Sequence, residues 1–325
     1  MTRARNILAE YREDFARINE ELEAFLHSRV SLVEDMGNHA LLGEGKRLRP
    51  LLFLMSCRLL DFWRGDLYRI STIFEYIHAA SLLHDDVIDN SQVRRKKPTA
   101  NYLWGNHAAV LEGDFLYSKA MTLAVETHSL EFLRVLTDAT VQMAEGQVLE
   151  LAHQNDWGLS ADKYMEIIKG KTAVLISAAS SSAGIIAGAQ ESAIHSLGVF
   201  GLNVGMAFQL IDDILDYVST EEVFGKPVGK DLKEGKITLP LIYTLDGLER
   251  EERMRFKEVF SSCDPGKEAL TEVISLVRKG GAIEKVRKEA GLYLGRAAHS
   301  LEDFPHGRAR EHLLELNQYL IDRDF

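Results

Sequence analysis

Apolar residues recur at helical spacing along almost the whole chain. A clear example is the series Leu270, Val273, Ile274 and Val277, in which steps of three and four residues line one face of an α-helix. The 325 residues include only six prolines, and few runs are rich in the valine and threonine typical of strands. The pattern therefore predicts an all-α protein with roughly ten or more helices.

Glycine, proline and charged residues interrupt this pattern, and the interruptions are predicted to connect helices. They lie at residues 43–45, 94–99, 155–160, 225–235, 264–266 and 304–307. No linker rich in Pro, Gly or Ser divides the chain, and no repeat of short period is present. The sequence therefore predicts a single domain over residues 1–325.

One uncharged segment, from Thr172 to Gln190, is long enough to span a bilayer. Ser, Ala and Gly dominate it rather than Leu or Phe, so its insertion into lipid is energetically poor. Small residues also let helix backbones approach closely. We therefore expect a buried central helix rather than a membrane span.

Composition narrows the class of protein further. The formal net charge of −11 argues against a nucleic-acid partner, because such a partner requires a basic face. Cys57 and Cys263 are the only cysteines, which implies no disulfide framework. The N-terminal segment alternates charged and apolar residues and contains no signal-peptide core. We expect a soluble, cytoplasmic protein.

Two acidic motifs carry the candidate chemistry. The first acidic motif is Asp85, Asp86 and Asp89, and the second acidic motif is Asp212, Asp213 and Asp216. Positions i, i+1 and i+4 fall on one side of a helix, so each motif is predicted to stack three carboxylates within about one turn. Their mutual repulsion calls for a cation, and Mg²⁺ suits such oxygen ligands together with phosphate oxygens. A single motif is equally consistent with a solvated helix end, but the duplication favours a metal site on two facing helices.

Basic residues follow each acidic motif or begin a helix. The four groups are Arg94 to Lys97, Lys226 to Lys236, Lys46 to Arg49, and Lys169 to Lys171. Arg and Lys bind phosphate oxygens, and a helix start favours anions. Each group alone is typical of a solvated surface. Together with the acidic motifs, they predict two diphosphate sites, one bridged by metals and one held by cations alone.

Several short motifs form a recognisable set: residues 45–50, 77–84, 94–95, 111–115, 171–173, 208–213 and 234–240. With this set, from about residue 42 to residue 240, the chain resembles the trans-polyprenyl diphosphate synthase family, and especially its long-chain, octaprenyl-type members. The resemblance implies a helical bundle around a central cavity, the isoprenoid synthase type. It also implies a homodimer and delivery of the product to a membrane, for quinone side chains.

The resemblance implies a role for each matching residue. Asp85, Asp89 and Asp212 bind the Mg²⁺ ions, about three in number. Asp86, Asp213 and Asp216 assist them. The allylic diphosphate is held by Arg94, Lys171, Thr172, Gln209, Lys226 and Lys236. Isopentenyl diphosphate is held by Lys46, Arg49, His78 and Arg95. The catalytic residues are Asp85, Asp89, Lys171 and Asp212, whereas His84 is expected either to be a packing residue or to contact the ligand-binding residues from behind.

Two departures from the family pattern stand out. The family commonly has glycine after the arginine pair, where this chain has Lys96. Gln147 and Glu150 look like an exchange of the usual Glu and Gln, so their role is left open.

Small residues before the first acidic motif bear on product length. Bulky aromatics four and five residues before the first aspartate stop growth early in the resembling family, and this chain has Ser81 and Ala80 there. One helical turn rises about 5.4 Å, close to one isoprene unit, so Ile77 is the next candidate for a floor. We therefore expect a long-chain product of about eight units, although Ala and Ser are also simply good packing residues.

Three alternatives remain open at this stage. A short-chain farnesyl or geranylgeranyl diphosphate synthase is disfavoured only by Ala80 and Ser81. A terpene cyclase usually carries a different second metal motif, with Asn, Ser and Glu. A non-catalytic subunit of a two-chain synthase typically lacks one acidic motif, whereas both are intact here.

Overall fold

The computed structural model describes residues 4–41, 45–94, 96–218, 229–260 and 266–321. The protein is all-α, as predicted. Its helices are α1 (Ala4–Glu10), α2 (Arg12–Phe25), α3 (Ser31–Leu41), α4 (Leu48–Leu59), α5 (Leu67–Ile88), α6 (Ala100–Trp104), α7 (Asn106–Glu126), α8 (Leu130–Ala152), α9 (Ala161–Ile168), a π-helix (Lys169–Ala173), α10 (Val174–Ala187), α11 (Glu191–Val218), α12 (Lys230–Lys233), α13 (Leu239–Asp246), α14 (Arg250–Phe260), α15 (Gly266–Lys279), α16 (Ala282–His299) and α17 (Arg308–Ile321).

The chain divides into two compact units. The first unit contains residues up to 138, 175–201 and 300–316, and the second contains 139–174, 202–299 and the residues from 317 onward. The single domain expected over residues 1–325 stays a prediction.

In the first unit, α5 packs against α7, α4 and α2. Ile70, Ile73, Phe74 and Ile77 lie on one stripe of α5 and are all buried, which explains why this segment forms a helix facing a core. The ring of Phe74 lies 5.7 Å from that of Phe53. This apolar stripe fixes the orientation of α5 and so the direction in which its acidic end points.

A short hairpin follows α5. Its strands β1 (Val93–Arg94) and β2 (Lys97–Pro98) are antiparallel, whereas the sequence indicated only a connection between helices here. Lys96 adopts a left-handed conformation at the turn, with φ of 64°. Glycine adopts this conformation without steric cost, which gives a physical reason for the glycine that the family commonly has at this position.

The second unit has its own apolar core. Ile214 and Tyr217 of α11, Leu241 of α13 and Leu294 of α16 are among its buried members. Helix α9 begins where Ser160 accepts a hydrogen bond from the backbone N–H of Lys163, at 3.2 Å, a helix N-cap.

The uncharged segment predicted as a buried helix forms the end of the π-helix and all of α10. Most of it is buried, and the helix ends at Ala187 before Gly188, which has a φ of 66°. The stretches Ala161–Ala187 and Glu191–Val218 are apolar and long enough to cross a membrane, but 67% and 56% of their most apolar windows are buried inside the protein. Burial of this kind is typical of core helices.

Candidate active site

The first acidic motif ends α5, and its three carboxylates do not all lie on one side. Asp86 is 4% exposed and accepts hydrogen bonds from Arg94 Nε at 2.9 and 3.1 Å. Asp85 and Asp89 remain partly exposed. Burial lowers the pKa of Arg94, but the hydrogen bond to Asp86 and the charges of all three aspartates outweigh it and raise that pKa. The motif thus separates into one carboxylate that anchors an arginine and two that face outward.

The outward side of α5 extends beyond the acidic motif. His78, Ser81 and Asp85 follow one another at helical spacing and are all partly exposed, whereas Ala80 is 3% and Ile77 2% exposed. The Ser81 hydroxyl donates to the carbonyl of His78 at 2.8 Å. Of the two small residues singled out in the sequence, Ser81 therefore lies on the accessible side of α5 and Ala80 on the packed side.

His84 packs against α7, as expected for a packing residue. Its ring lies over Gly113, where an added Cβ would come within 2.2 Å of His84 Nε2. The same nitrogen is 3.2 Å from the carbonyl oxygen of Val110. The glycine of the 111–115 motif is thus required by the close approach of His84.

The basic group Lys46 to Arg49 lies at the start of α4, where Arg47 is an internal anchor rather than a surface cation. Arg47 is 6% exposed, forms an ion pair with Glu75 at 2.6 Å and donates to Asn19 Oδ1 at 3.0 Å. Its φ of 45° is left-handed. Lys46, predicted to bind isopentenyl diphosphate, is exposed beside it, and Arg49 is partly exposed.

The second acidic motif lies near the end of α11 and also separates into inward and outward carboxylates. Asp213 and Asp216 are each 3% exposed, whereas Asp212 is partly exposed. Asp216 accepts hydrogen bonds from the backbone N–H groups of Lys230 and Asp231, at 3.1 and 3.2 Å. Asp216 therefore fixes the start of α12 relative to α11.

Asp213 is the centre of a chain of hydrogen bonds. Its two oxygens accept from the Tyr164 hydroxyl and from Gln209 Nε2, the latter at 2.8 Å. Gln209 Oε1 in turn accepts from the Thr172 hydroxyl at 2.9 Å. Burial, together with the charges of Asp231 and Asp212, raises the pKa of Asp213 well above its usual value. The chain joins two predicted substrate ligands, Gln209 and Thr172, to one buried carboxyl group.

A pocket of about 100 Å³ lies within the second unit. It is lined by four of the residues predicted to hold the allylic diphosphate: Lys171, Thr172, Gln209 and Lys236. Arg94, predicted with them, belongs to the first unit. Arg95 and Lys226 lie outside the described residues.

Each lysine of this pocket has a glutamate partner. Lys171 Nζ lies 2.5 Å from Glu150 Oε2, and Lys236 Nζ lies 2.8 Å from Glu234 Oε2. Burial raises the pKa of Glu234, but Lys236 and Lys230 outweigh it and hold that pKa below its usual value. The cations of the pocket are thus already neutralised by carboxylates of the protein.

Lys171 and Thr172 lie in the π-helix, which links α9 to α10 without a break. The sequence indicated only that these residues precede a helix. Gly146 of α8 makes the arrangement feasible, because a Cβ there would lie 2.6 Å from the backbone nitrogen of Lys171. The wider turn changes the direction of the two side chains relative to a regular α-helix, and such turns are frequent at functional sites.

The outward carboxylates suit a hard divalent cation. In the part of the chain that the structure describes, no group of three or more Asp, Glu, His or Cys side chains forms a closed metal cage. Mg²⁺ usually keeps several waters and binds one or two carboxylates plus substrate phosphates. Asp85 and Asp89, four residues apart at the end of α5, are two partly exposed carboxylates of the kind that such a site uses, and Asp212 of the second unit is partly exposed as well.

The comparisons with known proteins identify the family. Residues 30–277 match the polyprenyl synthetase family model. This chain belongs to the polyprenyl synthetase family. The synthetase is 36% identical to an octaprenyl diphosphate synthase of Haemophilus influenzae, over 96% of this chain and 94% of the relative. It is 37% identical to a geranyl-diphosphate-specific all-trans-nonaprenyl-diphosphate synthase of Rhodobacter capsulatus, over 98% and 97%.

Similarity to a solved structure identifies the fold. A polyprenyl synthase of Caulobacter crescentus, complexed with calcium and isoprenyl diphosphate, superposes with a TM-score of 0.93 at 36% identity and covers 98% of both chains. The synthetase therefore has the all-α isoprenoid synthase fold and is a prenyltransferase. Other relatives are named heptaprenyl and short-chain synthases, so the family by itself leaves the product length open.

Sequence reasoning missed three ionisable residues of the pocket and left a fourth without a role. Tyr164, His153 and Asp231 line it and were not singled out, and Glu150 was noted only as a departure from the family pattern. Tyr164 lies seven residues, about two helical turns, before Lys171, and this spacing could have placed it on the same helix face as Lys171. His153 and Asp231 carry no comparable signal, because their place depends on the packing of distant segments.

Proposed function

We propose that this synthetase extends an allylic diphosphate with isopentenyl diphosphate to a long-chain polyprenyl diphosphate of about eight units. The observation that carries the proposal is the pocket of the second unit, in which Lys171, Thr172, Gln209 and Lys236 line one space. Two ammonium groups, a hydroxyl and an amide are the donors that a diphosphate requires.

The reaction begins with breakage of the bond between the allylic carbon and the diphosphate oxygen. Negative charge then develops on the leaving diphosphate, and Lys171 and Lys236 stabilise it, together with the Thr172 hydroxyl once that group has turned away from Gln209 Oε1. Asp85, Asp89 and Asp212, with Asp86, Asp213 and Asp216 assisting, would hold Mg²⁺, which would supply further positive charge to the diphosphate oxygens. We propose about three such ions.

Carbon–carbon bond formation follows. The double bond of isopentenyl diphosphate attacks the allylic cation, and a proton then leaves for an oxygen of the released diphosphate. Lys46, Arg49 and His78 hold the second diphosphate in this proposal, together with Arg95 outside the described residues. Arg94 acts in allylic binding once it is released from Asp86, and Lys226, also outside the described residues, assists.

The outward stripe of α5 supports a long product. Ser81, on the accessible side, is small and partly exposed, whereas Ala80 and the proposed floor Ile77 are buried on the packed side. A product that grows along this side passes the small Ser81 before it reaches His78, one turn further from Asp85. The octaprenyl and nonaprenyl synthases among the relatives also support a long chain.

We further propose a cellular location, an oligomeric state and a destination of the product by analogy with the family. The synthetase acts in the cytoplasm as a homodimer, and its product passes to a membrane as a precursor of quinone side chains. The burial of its two most apolar helices inside the protein supports an enzyme that does not span the membrane.

The decisive experiment is product analysis of the purified chain with Mg²⁺, labelled isopentenyl diphosphate and farnesyl diphosphate. Long all-trans diphosphates near eight units are expected, whereas products of three or four units would establish the short-chain alternative. Consumption of farnesyl diphosphate alone, with release of a cyclic hydrocarbon, would establish a terpene cyclase. Activity that requires a second protein chain would establish a subunit of a two-chain synthase.

A further inference from the structure

The ion pair between Lys171 and Glu150 has a consequence for substrate binding. Both side chains are mostly buried, at 23% and 21% exposed, and Lys171 Nζ lies 2.5 Å from Glu150 Oε2. Both also line the pocket proposed to hold the allylic diphosphate. A diphosphate that binds Lys171 therefore meets a carboxylate already in place on the same ammonium group.

We infer that Glu150 is an internal competitor of the diphosphate for Lys171, and that it sets how tightly the pocket holds substrate and product. The inference rests on the proposed function for the identity of the anion. On entry, the diphosphate displaces the Glu150 carboxylate from Lys171, and on exit the carboxylate returns.

The low exposure of the pair makes this competition significant. Opposite charges interact more strongly in a partly buried site than in water, since less solvent screens them. A carboxylate left beside a bound diphosphate also repels it. Both effects weaken diphosphate binding relative to a pocket with a neutral side chain at position 150.

The position of Glu150 agrees with this role. It lies on α8 one turn beyond Gly146, the glycine against which the π-helix carrying Lys171 packs. The close approach of these two helical segments places the carboxylate within reach of Lys171. Gln147 and Glu150 look like an exchange of the family's usual Glu and Gln, so the negative charge at 150 distinguishes this chain from the usual pattern.

Weak binding of diphosphate in this pocket suits a synthase that must release its product after many additions. The leaving diphosphate and the extended diphosphate both use this pocket in the proposed reaction. A returning carboxylate lowers the barrier to their release. Glu150 is thus a positioning residue for the anion, because it acts through Lys171.

The test is a double-mutant cycle on anion binding, with inorganic pyrophosphate and Mg²⁺ as the probe and calorimetry as the readout. Glu150→Gln is expected to bind pyrophosphate about tenfold more tightly than the unmodified protein. In a Lys171→Met background the same substitution is expected to have little effect on pyrophosphate binding, because the ammonium group for which Glu150 and pyrophosphate compete is absent. Glu145→Gln, an exposed position on the same helix, removes one negative charge as a matched control.

Steady-state kinetics supply a second readout. Glu150→Gln is expected to lower KM for the allylic diphosphate and to lower kcat through slower product release, visible as a burst. Unchanged or weaker pyrophosphate binding in Glu150→Gln, with a folded protein by circular dichroism, would overturn the inference. An equal gain in Glu145→Gln would also overturn it, because long-range charge would then explain the effect. The binding assay needs no turnover, so an inactive unmodified protein would refute the proposed function without deciding this inference.

Discussion

The hydroxyl of Tyr164 donates a hydrogen bond to Asp213, and both side chains are buried. The pair joins α9 to the second acidic motif on α11, 49 residues further along the chain. The other oxygen of Asp213 accepts from Gln209, which also accepts from Thr172. One tyrosine hydroxyl thereby limits the orientation of two side chains that line the pocket.

Substitution Tyr164→Phe is expected to reduce both stability and allylic binding. It removes one of the donors to a buried carboxyl group, which costs roughly 1–3 kcal/mol in the free energy of unfolding. The Gln209 amide and Thr172 hydroxyl then lose their fixed orientation, so KM for the allylic diphosphate should rise severalfold. Chemical denaturation and steady-state kinetics measure the two effects. Tyr102→Phe, at an exposed position, is the control, and equal losses in both variants would contradict the role of Tyr164.

The buried carboxyl group of Glu112 makes stability depend on pH. Glu112 is 0% exposed, and neither of its oxygens has a hydrogen-bond partner in the described part of the chain. Burial raises its pKa from 4.5 to about 7. The unfolded chain therefore loses this proton at lower pH than the folded one, and folding becomes less favourable as pH rises from about 4.5 to about 7.

Glu112→Gln mimics the protonated acid and should remove this dependence. The variant is expected to be more stable than the unmodified protein by on the order of 2 to 3 kcal/mol at pH 8, with a much smaller difference near pH 5. Urea denaturation at both pH values measures the change. Glu131→Gln, at an exposed position, should show no such trend. A pH-independent difference between Glu112→Gln and the unmodified protein would argue against ionisation of Glu112 in this range.

The ion pair between Arg47 and Glu75 should be sensitive to loss of either partner. Both side chains are less than a tenth exposed, so Glu75→Gln leaves a buried guanidinium without its counter-ion and should cost about 3–5 kcal/mol of stability. The exposed pair of Arg69 and Glu126 is the matched control, and Glu126→Gln should cost under about 1 kcal/mol. Thermal unfolding of the two variants decides between these values. Where Glu75→Gln folds, a higher KM for isopentenyl diphosphate is expected, because the ion pair anchors Arg47, the chain neighbour of Lys46.

Product length should respond to aromatic substitution before Asp85. Ser81→Phe places a ring on the accessible side of α5 and is expected to shorten the product by several isoprene units while leaving activity measurable. Ala80→Phe should also shorten it, with a greater cost in stability, since Ala80 is 3% exposed and overpacking costs about 1–3 kcal/mol. Chromatography of the dephosphorylated products provides the chain lengths. A product of unchanged length in both variants would contradict the proposal that the product grows along α5.

The helical class of this protein follows from local information. The three- and four-residue spacing of Ile70, Ile73, Phe74 and Ile77 predicts α5 without reference to any other segment. The acidic motifs and the lysines of the pocket are equally readable, because their residue types are rare in apolar helices. The family resemblance adds roles that spacing alone does not provide.

The choice among the aspartates depends on tertiary structure. Asp86 and Asp213 turn inward because Arg94 and Tyr164 approach them from other elements, whereas Asp85, Asp89 and Asp212 stay accessible. The sequence alone does not distinguish the three aspartates of a motif from one another. Partners that come from other elements break the equivalence, and no local pattern encodes which carboxylate they will reach.

The sequence by itself determined an all-α chain, two acidic motifs and the basic groups that accompany them, since short-range periodicity and charge are written in neighbouring residues. Only the tertiary structure decided the π-helix at Lys171, the pairing of Lys171 with Glu150 and the buried isolation of Glu112. These features depend on backbone approach and desolvation, which arise when segments distant along the chain pack together.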